Sequence, residues 1–308
     1  MVLDENSTAG ISLGTRQLPA LREDHVQVRV KAISLNPGEL RHRTKGAPPG
    51  WYPGRDFAGI VERAAANGGP PVGTRIVGWV NGGAFAETVQ APVTQVAPLP
   101  SEVSWEDAAS LPVAGLTSFL ALERAGLLLA RRVLVTGGTG GVGHFGIQLA
   151  HAAGAHVTAT VRSEKSVQFA RAMGAETILR PQELADLPGC FDFVLETTGI
   201  HMIPAAVKGL VAGGTCVAVS RSLSPAENPQ FDLLSYLARG QSLQSLYVFD
   251  ELAKRNSGAD LSRLAQLVAV GRLRPHIGLR ASWTTIEDAS KALLERRVLG
   301  KVVLTLDE

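Results

Sequence analysis

The segment VLVTGGTGGVGHFGIQLA, residues 133–150, constrains this chain more than any other stretch. An apolar run at 133–136 stops at glycine, and Gly138-Thr139-Gly140-Gly141-Val142-Gly143 then reads G-x-G-x-x-G as an amphipathic helix opens. Each glycine has a physical reason in such a turn. Gly138 permits the tight reversal, Gly140 lets the backbone approach a pyrophosphate closely, and Gly143 permits close helix–strand packing. The helix begins with free N–H groups and the positive end of its dipole, which suit phosphate oxygens. Strand, turn and helix in this order predict a dinucleotide-binding unit, where the bare six-residue pattern would be a weak signal.

The flanking sequence divides in character. Residues 26–33 (VQVRVKAI) alternate apolar and polar as a half-buried strand does, and FAGIVE, VGTRIVGWV and GAFAETVQ read as further short strands. Between them, residues 35–54 carry four prolines and four glycines and read as an irregular loop. Residues 104–126 have helical spacing, with Ser104 as N-cap and Glu106 and Asp107 favouring the helix start. From residue 131 to about 250, strands alternate with helices, which predicts βαβ units and a parallel sheet. Helices over 261–270 and 286–296 and a last strand, KVVLTL, complete the chain.

Composition removes several function classes. A length of 308 residues allows two domains, and 45% hydrophobic with 19% charged residues excludes a disordered chain. A formal net charge of +2 is too balanced for a nucleic-acid binder that works by charge alone. Cys190 and Cys216, the two cysteines, cannot make a four-cysteine zinc site. No apolar run approaches the roughly 18 residues of a membrane span. The polar, acidic start MVLDENSTAGIS has no signal-peptide core, so the expected location is cytoplasmic.

The second strand of the βαβ region sets the expected cofactor. NAD enzymes usually place Asp or Glu about 20 residues beyond the glycine turn, on the ribose 2′-OH. Here VTATV runs into Arg162, Ser163, Glu164 and Lys165. Two cations and a hydroxyl suit a 2′-phosphate and point to NADPH, with Glu164 the one contrary residue. The competing reading makes Arg162 and Lys165 ordinary surface charges at a helix start.

Six segments together resemble the zinc-free quinone oxidoreductases of the medium-chain dehydrogenase/reductase superfamily. They are SLNPGELRHRTKG (34–46), PGRDFAGIVE (53–62), GGAFAETV (82–89), AASLPVAGLTSFLAL (108–122), VLVTGGTGGVGHFGIQLA (133–150) and GKVVL (300–304). The resemblance implies an α/β fold in which a Rossmann doubly wound parallel sheet (113–250) is inserted into a GroES-like, β-rich catalytic domain (1–112 and 251–308). It further implies a homodimer paired edge to edge near residues 242–247. Zinc-dependent members carry a cysteine after the first long strand and a later Gly-His-Glu. This chain has no cysteine before Cys190, and Gly54-Arg55-Asp56 stands at the second place. Without a Lewis acid, simple alcohol oxidation is disfavoured, and hydride transfer to a quinone or activated enone is expected. Reduction of an enoyl thioester, or NADPH binding without catalysis, are the alternatives.

The resemblance also nominates residues. Asn36, in the L-N-P turn, is expected to contact the ribose or a substrate oxygen, and Thr117 the nicotinamide half. Gly138, Thr139, Gly140, Gly141 and Val142 would hold the pyrophosphate. Thr197, Thr198 and Ser220, at the ends of the fourth and fifth strands, fall where the crevice rule puts ligand contacts. Arg41 replaces a tyrosine common in quinone reductases, and Arg180-Pro181 replaces another near the adenosine phosphate; Arg180 either adds a phosphate contact or faces solvent. Trp51 and Tyr52 either line the substrate pocket or pack the loop against its own domain. No His or Tyr is placed as a proton donor, and His144 reads as a packing or helix-end residue. Gly10-Ile11-Ser12-Leu13-Gly14 matches a hydrolase nucleophile elbow, but no buried strand precedes it and Pro19 interrupts the expected helix.

Overall fold

The computed structural model describes residues 1–3, 11–41, 51–220 and 239–306. The chain divides into two compact units, Met1–Leu116 with Leu252–Glu308, and Thr117–Glu251. The first arm contributes β1 (Val2–Leu3), β2 (Ile11–Ser12), β3 (His25–Leu35), α1 (Pro37–Arg41), β4 (Asp56–Arg63), β5 (Arg75–Trp79), β6 (Thr88–Pro92), β7 (Val96–Pro98), α2 (Trp105–Ala109) and α3 (Pro112–Glu123). The middle of the chain adds β8 (Arg132–Val135), α4 (Gly141–Ala152), β9 (His156–Thr160), α5 (Lys165–Ala172), β10 (Thr177–Leu179), β11 (Phe191–Glu196), α6 (Ile203–Lys208), β12 (Leu210–Ala218), β13 (Ser242–Ser245) and α7 (Val248–Leu252). The return arm supplies α8 (Ser257–Ala269), β14 (Ile277–Ser282), α9 (Ile286–Leu294) and β15 (Lys301–Thr305).

In the first unit the described strands run β14-β15-β3-β4-β5-β7, with β6 also on β3. The eleven residues of β3 organise this sheet. One edge pairs with β6 through residues 25–29 and with β15 through 32–35, while the other pairs with β4. The final strand of the chain thus lies beside an early one. Val28, Ile33, Phe57, Ile76, Phe85, Val302 and Leu304 form the core between them.

The second unit is a parallel sheet of order β10-β9-β8-β11-β12-β13. Numbered within the unit this is 3-2-1-4-5-6, the dinucleotide-binding order, and it reverses direction between β8 and β11. β13 closes one edge. No helix among the described residues is long and apolar enough to cross a membrane.

Local structure departs from the sequence expectations at several points. The helix expected over 104–126 is two helices, because Pro112 has no N–H to donate and starts α3 instead. Apolar spacing continues through the break and hides it. Ser104 does cap α2, accepting from Asp107 N at 3.0 Å. The loop expected after Leu35 begins with the short helix α1, where Pro37 takes the first position and Glu39 N donates to Asn36 O at 3.2 Å. In GAFAETVQ only the segment from Thr88 onward is strand.

Candidate functional site

Open α/β sheets bind ligands beyond the carboxyl ends of their strands, at the point where strand order reverses. The glycine turn sits there, pinned to both neighbouring strands. On the β9 side, Gly137 N donates to Thr160 Oγ1 and Gly138 N to Thr160 O, both at 3.0 Å. On the β11 side, Thr197 N donates to Thr136 Oγ1 at 2.9 Å and Thr197 Oγ1 to Thr136 O at 2.7 Å. Glu196, fully buried at the end of β11, draws this side together. Its Oε1 accepts from Thr136 Oγ1 (3.1 Å), Thr198 N (2.6 Å), Thr198 Oγ1 (2.5 Å) and Gly199 N (3.0 Å).

The glycines divide their work differently from the expectation. The left-handed residue is Gly137, at φ +62°, and not Gly138. A Cβ on Gly137 would lie 2.7 Å from Thr198 Cγ2 and 2.8 Å from Thr197 Oγ1. Gly138 instead lets Ile147 and Ala159 close in, since its Cβ would stand 2.9 Å from Ile147 Cδ1. A Cβ on Gly143 would overlap the Gly137 carbonyl, so Gly143 packs α4 on the turn. The helix–sheet approach falls to Gly146, 2.5 Å by its absent Cβ from Leu195 Cδ2. Gly140 is exposed, and the one atom near its absent Cβ is Gly137 O at 3.4 Å. Gly140 is also the N-cap of α4, with no side-chain cap on the helix's first N–H groups. An open backbone face of this kind at a helix N-terminus fits a pyrophosphate.

The other nominated residues of this unit cluster around the same ends. Thr139 lies in the turn, Gly141 and Val142 open α4, and Ser118 Oγ donates to Val142 O at 2.8 Å. Thr117 precedes Ser118 on α3 and is buried. His144 is buried in α4 with Nδ1 3.0 Å from Gly140 O and its ring 4.0 Å from that of Phe145, a packing arrangement. Arg162, Ser163 and Lys165 are exposed beyond β9, and Ser163 Oγ lies 2.8 Å from Ser166 Oγ. Ser220 helps line a shallow cavity of about 210 Å³ at the carboxyl ends of β12 and β13, with Ile200, Ala218, Leu243 and Ser245.

In the β-rich unit the structure assembles a buried polar group that the residues did not announce. Asn36 Nδ2 donates to Glu39 Oε1 at 2.7 Å and to Asp56 Oδ2 at 2.9 Å. Lys301 Nζ donates to Asn36 Oδ1 at 2.7 Å and to Leu35 O at 3.3 Å, and stands 3.6 Å from Asp56 Oδ2. Asp56 Oδ1 accepts from Val113 N at 3.0 Å. Two carboxyl groups on one side and an ammonium on the other fix which way the amide points. Both Nδ2 hydrogens are engaged, which leaves Asn36 one lone pair on Oδ1 and no hydrogen to donate to a substrate oxygen.

Burial sets the charges of this group. It pushes the Asp56 carboxyl up and the Lys301 ammonium down, and each of the two charges opposes the other's shift. Glu39 is pushed up to about 8, by burial first and by the Asp56 charge second. Its Oε2 is buried without a hydrogen-bond partner, where a neutral carboxyl is far less costly than a carboxylate. With its carboxyl pushed up to about 8, Glu39 is mostly protonated at neutral pH.

The pairing of Asp56 with Lys301 is not legible in the sequence, because each is a single charge at the end of an apolar strand segment, DFAGIV and KVVLTL, which reads as a solvated strand end. Glu196 in FVLETTG has the same signature. Trp51 Nε1 donates to Asn81 O at 3.1 Å, and Arg16 lies over the Tyr52 ring at 4.3 Å, so both aromatics have partners elsewhere in their own unit. Arg41 ends α1, and its side chain lies outside the described residues. Among the described residues, no three His, Cys, Asp or Glu side chains are grouped to hold a metal ion.

Comparison with known proteins agrees with this architecture. The model of the alcohol dehydrogenase GroES-like domain matches residues 22–101, and that of zinc-binding dehydrogenase matches residues 141–266. The chain is 28% identical over 307 residues to 2-methylene-furan-3-one reductase of Solanum lycopersicum, covering 93% of this chain and 73% of that one. It is 26% identical, with the same coverage, to the NADPH-dependent alkenal/one oxidoreductase, chloroplastic, of Arabidopsis thaliana. The solved quinone oxidoreductase from Coxiella burnetii superposes with a TM-score of 0.83 at 25% identity, over 97% of this chain and 95% of that one.

Proposed function

Because the chain belongs to the medium-chain dehydrogenase/reductase superfamily, we propose that it is an NADPH-dependent reductase acting on a quinone or an activated enone without a metal. The observation that carries the reading is the open face of Gly140 at the reversal of the parallel sheet. Gly140 N donates to Gly137 O at 3.0 Å, so the backbone N–H groups of Gly141 and Val142 bind the pyrophosphate over the open face of Gly140, with Gly138 and Thr139 shaping the approach. Arg162, Ser163 and Lys165 take the 2′-phosphate, and Thr197, Thr198 and Ser220 flank the nicotinamide half. When bound, the reduced nicotinamide supplies a hydride from C4. The chain's own residues orient it and exclude water. Asn36 contributes Oδ1 as an acceptor held in place by Lys301, and Thr117 contributes a buried hydroxyl.

The names of the relatives support an electron-poor double bond conjugated to a carbonyl as the acceptor. The reading includes a homodimer paired through the β13 edge and a cytoplasmic location. The test is oxidation of NADPH and NADH by the purified protein against quinones, enones, enoyl thioesters and aldehydes, with and without a chelator. NADPH oxidation by quinones or enones, insensitive to the chelator, is expected. Binding of NADPH without oxidation by any acceptor overturns the enzyme reading.

A further inference from the structure

Glu164, an acid in the middle of the proposed 2′-phosphate run, has a partner that sequence order conceals. β9 and β10 are parallel neighbours, with Thr160 opposite Leu179 and Val161 N donating to Leu179 O at 3.0 Å. The residues just beyond the two strand ends therefore stand side by side. Arg180 follows Leu179, and its guanidinium reaches back across the end of β9, with Nη1 3.5 Å from Val161 O. Its Nη2 donates to Glu164 Oε2 at 2.5 Å.

The two partners are held unequally. Arg180 is fixed at the backbone, where its N–H donates to the Glu183 carboxylate and Pro181 follows, and its side chain is 26% exposed. The Glu164 side chain is 85% exposed, and no hydrogen bond ties it to the helix it precedes. A carboxylate on a guanidinium fork presents its oxygens much as a phosphate does. A cation fixed beside the end of β9 thus carries a loosely held anion.

We propose that Arg180 is a specificity residue for the 2′-phosphate and that Glu164 is its resident competitor, displaced when NADPH binds and left in place by NADH. The inference rests on the NADPH reading above and sharpens it. Glu164 keeps Arg180 paired in the empty protein, and its negative charge opposes a 2′-phosphate nearby. It therefore sets how strongly the site prefers the phosphorylated nucleotide.

Calorimetric titration of the full chain with adenosine 2′,5′-bisphosphate, 5′-AMP, NADPH and NADH tests this without turnover. Arg180→Met should weaken the 2′-phosphorylated ligands roughly ten-fold and leave 5′-AMP and NADH within about two-fold, as expected for one lost charge-assisted contact. Glu164→Gln should tighten the phosphorylated ligands roughly three-fold or more. An unchanged NADPH/NADH ratio in Arg180→Met, in a protein that prefers NADPH, overturns the inference and spares the cofactor reading. Weaker NADPH binding in Glu164→Gln overturns the competitor role. A wild-type chain that prefers NADH overturns the cofactor reading itself. The ratio within each variant controls for misfolding, since both nucleotides share the glycine turn.

Discussion

Lys301 Nζ donates to Asn36 Oδ1 at 2.7 Å across 265 residues of sequence. The bond joins the last strand to the turn after β3, and it exists because β15 pairs with the carboxyl half of β3. It decides what Asn36 has left to offer, and it keeps Asp56 from being a lone charge in a dry interior.

Replacing Lys301 with Met removes the cation from a fully buried pair and leaves Asp56 uncompensated. Loss of one partner of a buried pair costs about 3–5 kcal/mol. Urea unfolding should show a drop of that order, and a change below about 1 kcal/mol would mean that the pair is not formed in solution.

Glu39 makes stability depend on pH. Its carboxyl is pushed up to about 8 in the fold from an ordinary value of 4.5, so between these values the native state binds a proton that the unfolded chain has released. Its contribution is fully present below about pH 4.5, declines as pH rises towards 8, and is flat above. Glu39→Gln keeps an acceptor for Asn36 and has no proton to lose. Melting temperatures of the two proteins should diverge in slope between pH 5 and 8, with the wild type falling more steeply; parallel curves contradict the assignment.

Two glycines of the turn should fail in different ways. Gly137→Ala places a Cβ at φ +62° and 2.7 Å from Thr198, which lowers stability by about 1–2 kcal/mol or more. Gly140→Ala meets only an ordinary contact, Gly137 O at 3.4 Å, and an ordinary φ of −79°, so the melting temperature should hold while NADPH binding weakens about ten-fold or more. Equal effects of the two substitutions on binding would argue against the open face as the phosphate cradle.

Glu196→Ala strips one acceptor from four donors just past the ends of β8 and β11 and should cost about 3 kcal/mol or more. Glu196→Gln retains the Oε1 acceptor and should recover much of the stability and of the NADPH affinity. If alanine leaves NADPH binding intact, the carboxylate does not shape the turn.

Arg162→Ala combined with Lys165→Ala removes two exposed cations from the end of β9. NADPH binding should weaken more than NADH binding, and the difference should shrink in high salt. Equal losses for the two nucleotides count against the 2′-phosphate assignment.

Legibility varied with the range of the interaction. The strand, turn and helix of residues 132–152 were readable because apolar period and glycine pattern are local properties. The break at Pro112 was not, since helical spacing runs on through it and only the missing N–H marks the place. Gly137 was overlooked in favour of Gly138 because the left-handed residue depends on how Thr160 and Thr197 grip the turn from two neighbouring strands. The partners of Trp51 and Tyr52, Asn81 and Arg16, were not legible because they come from distant stretches of the chain.

The amino-acid sequence alone determined the parallel-sheet unit and the turn at its reversal point, because turn geometry and hydrophobic period act within a few residues. It also determined which charges stand beyond β9. Only the tertiary structure decided what those charges and the other isolated ones do. Glu164 meets Arg180 because β9 and β10 end together, and Asp56 meets Lys301 because the two ends of the chain share a sheet. A charge acquires its pairing and its proton affinity from burial and neighbours, and both come from strands brought together over long stretches of chain.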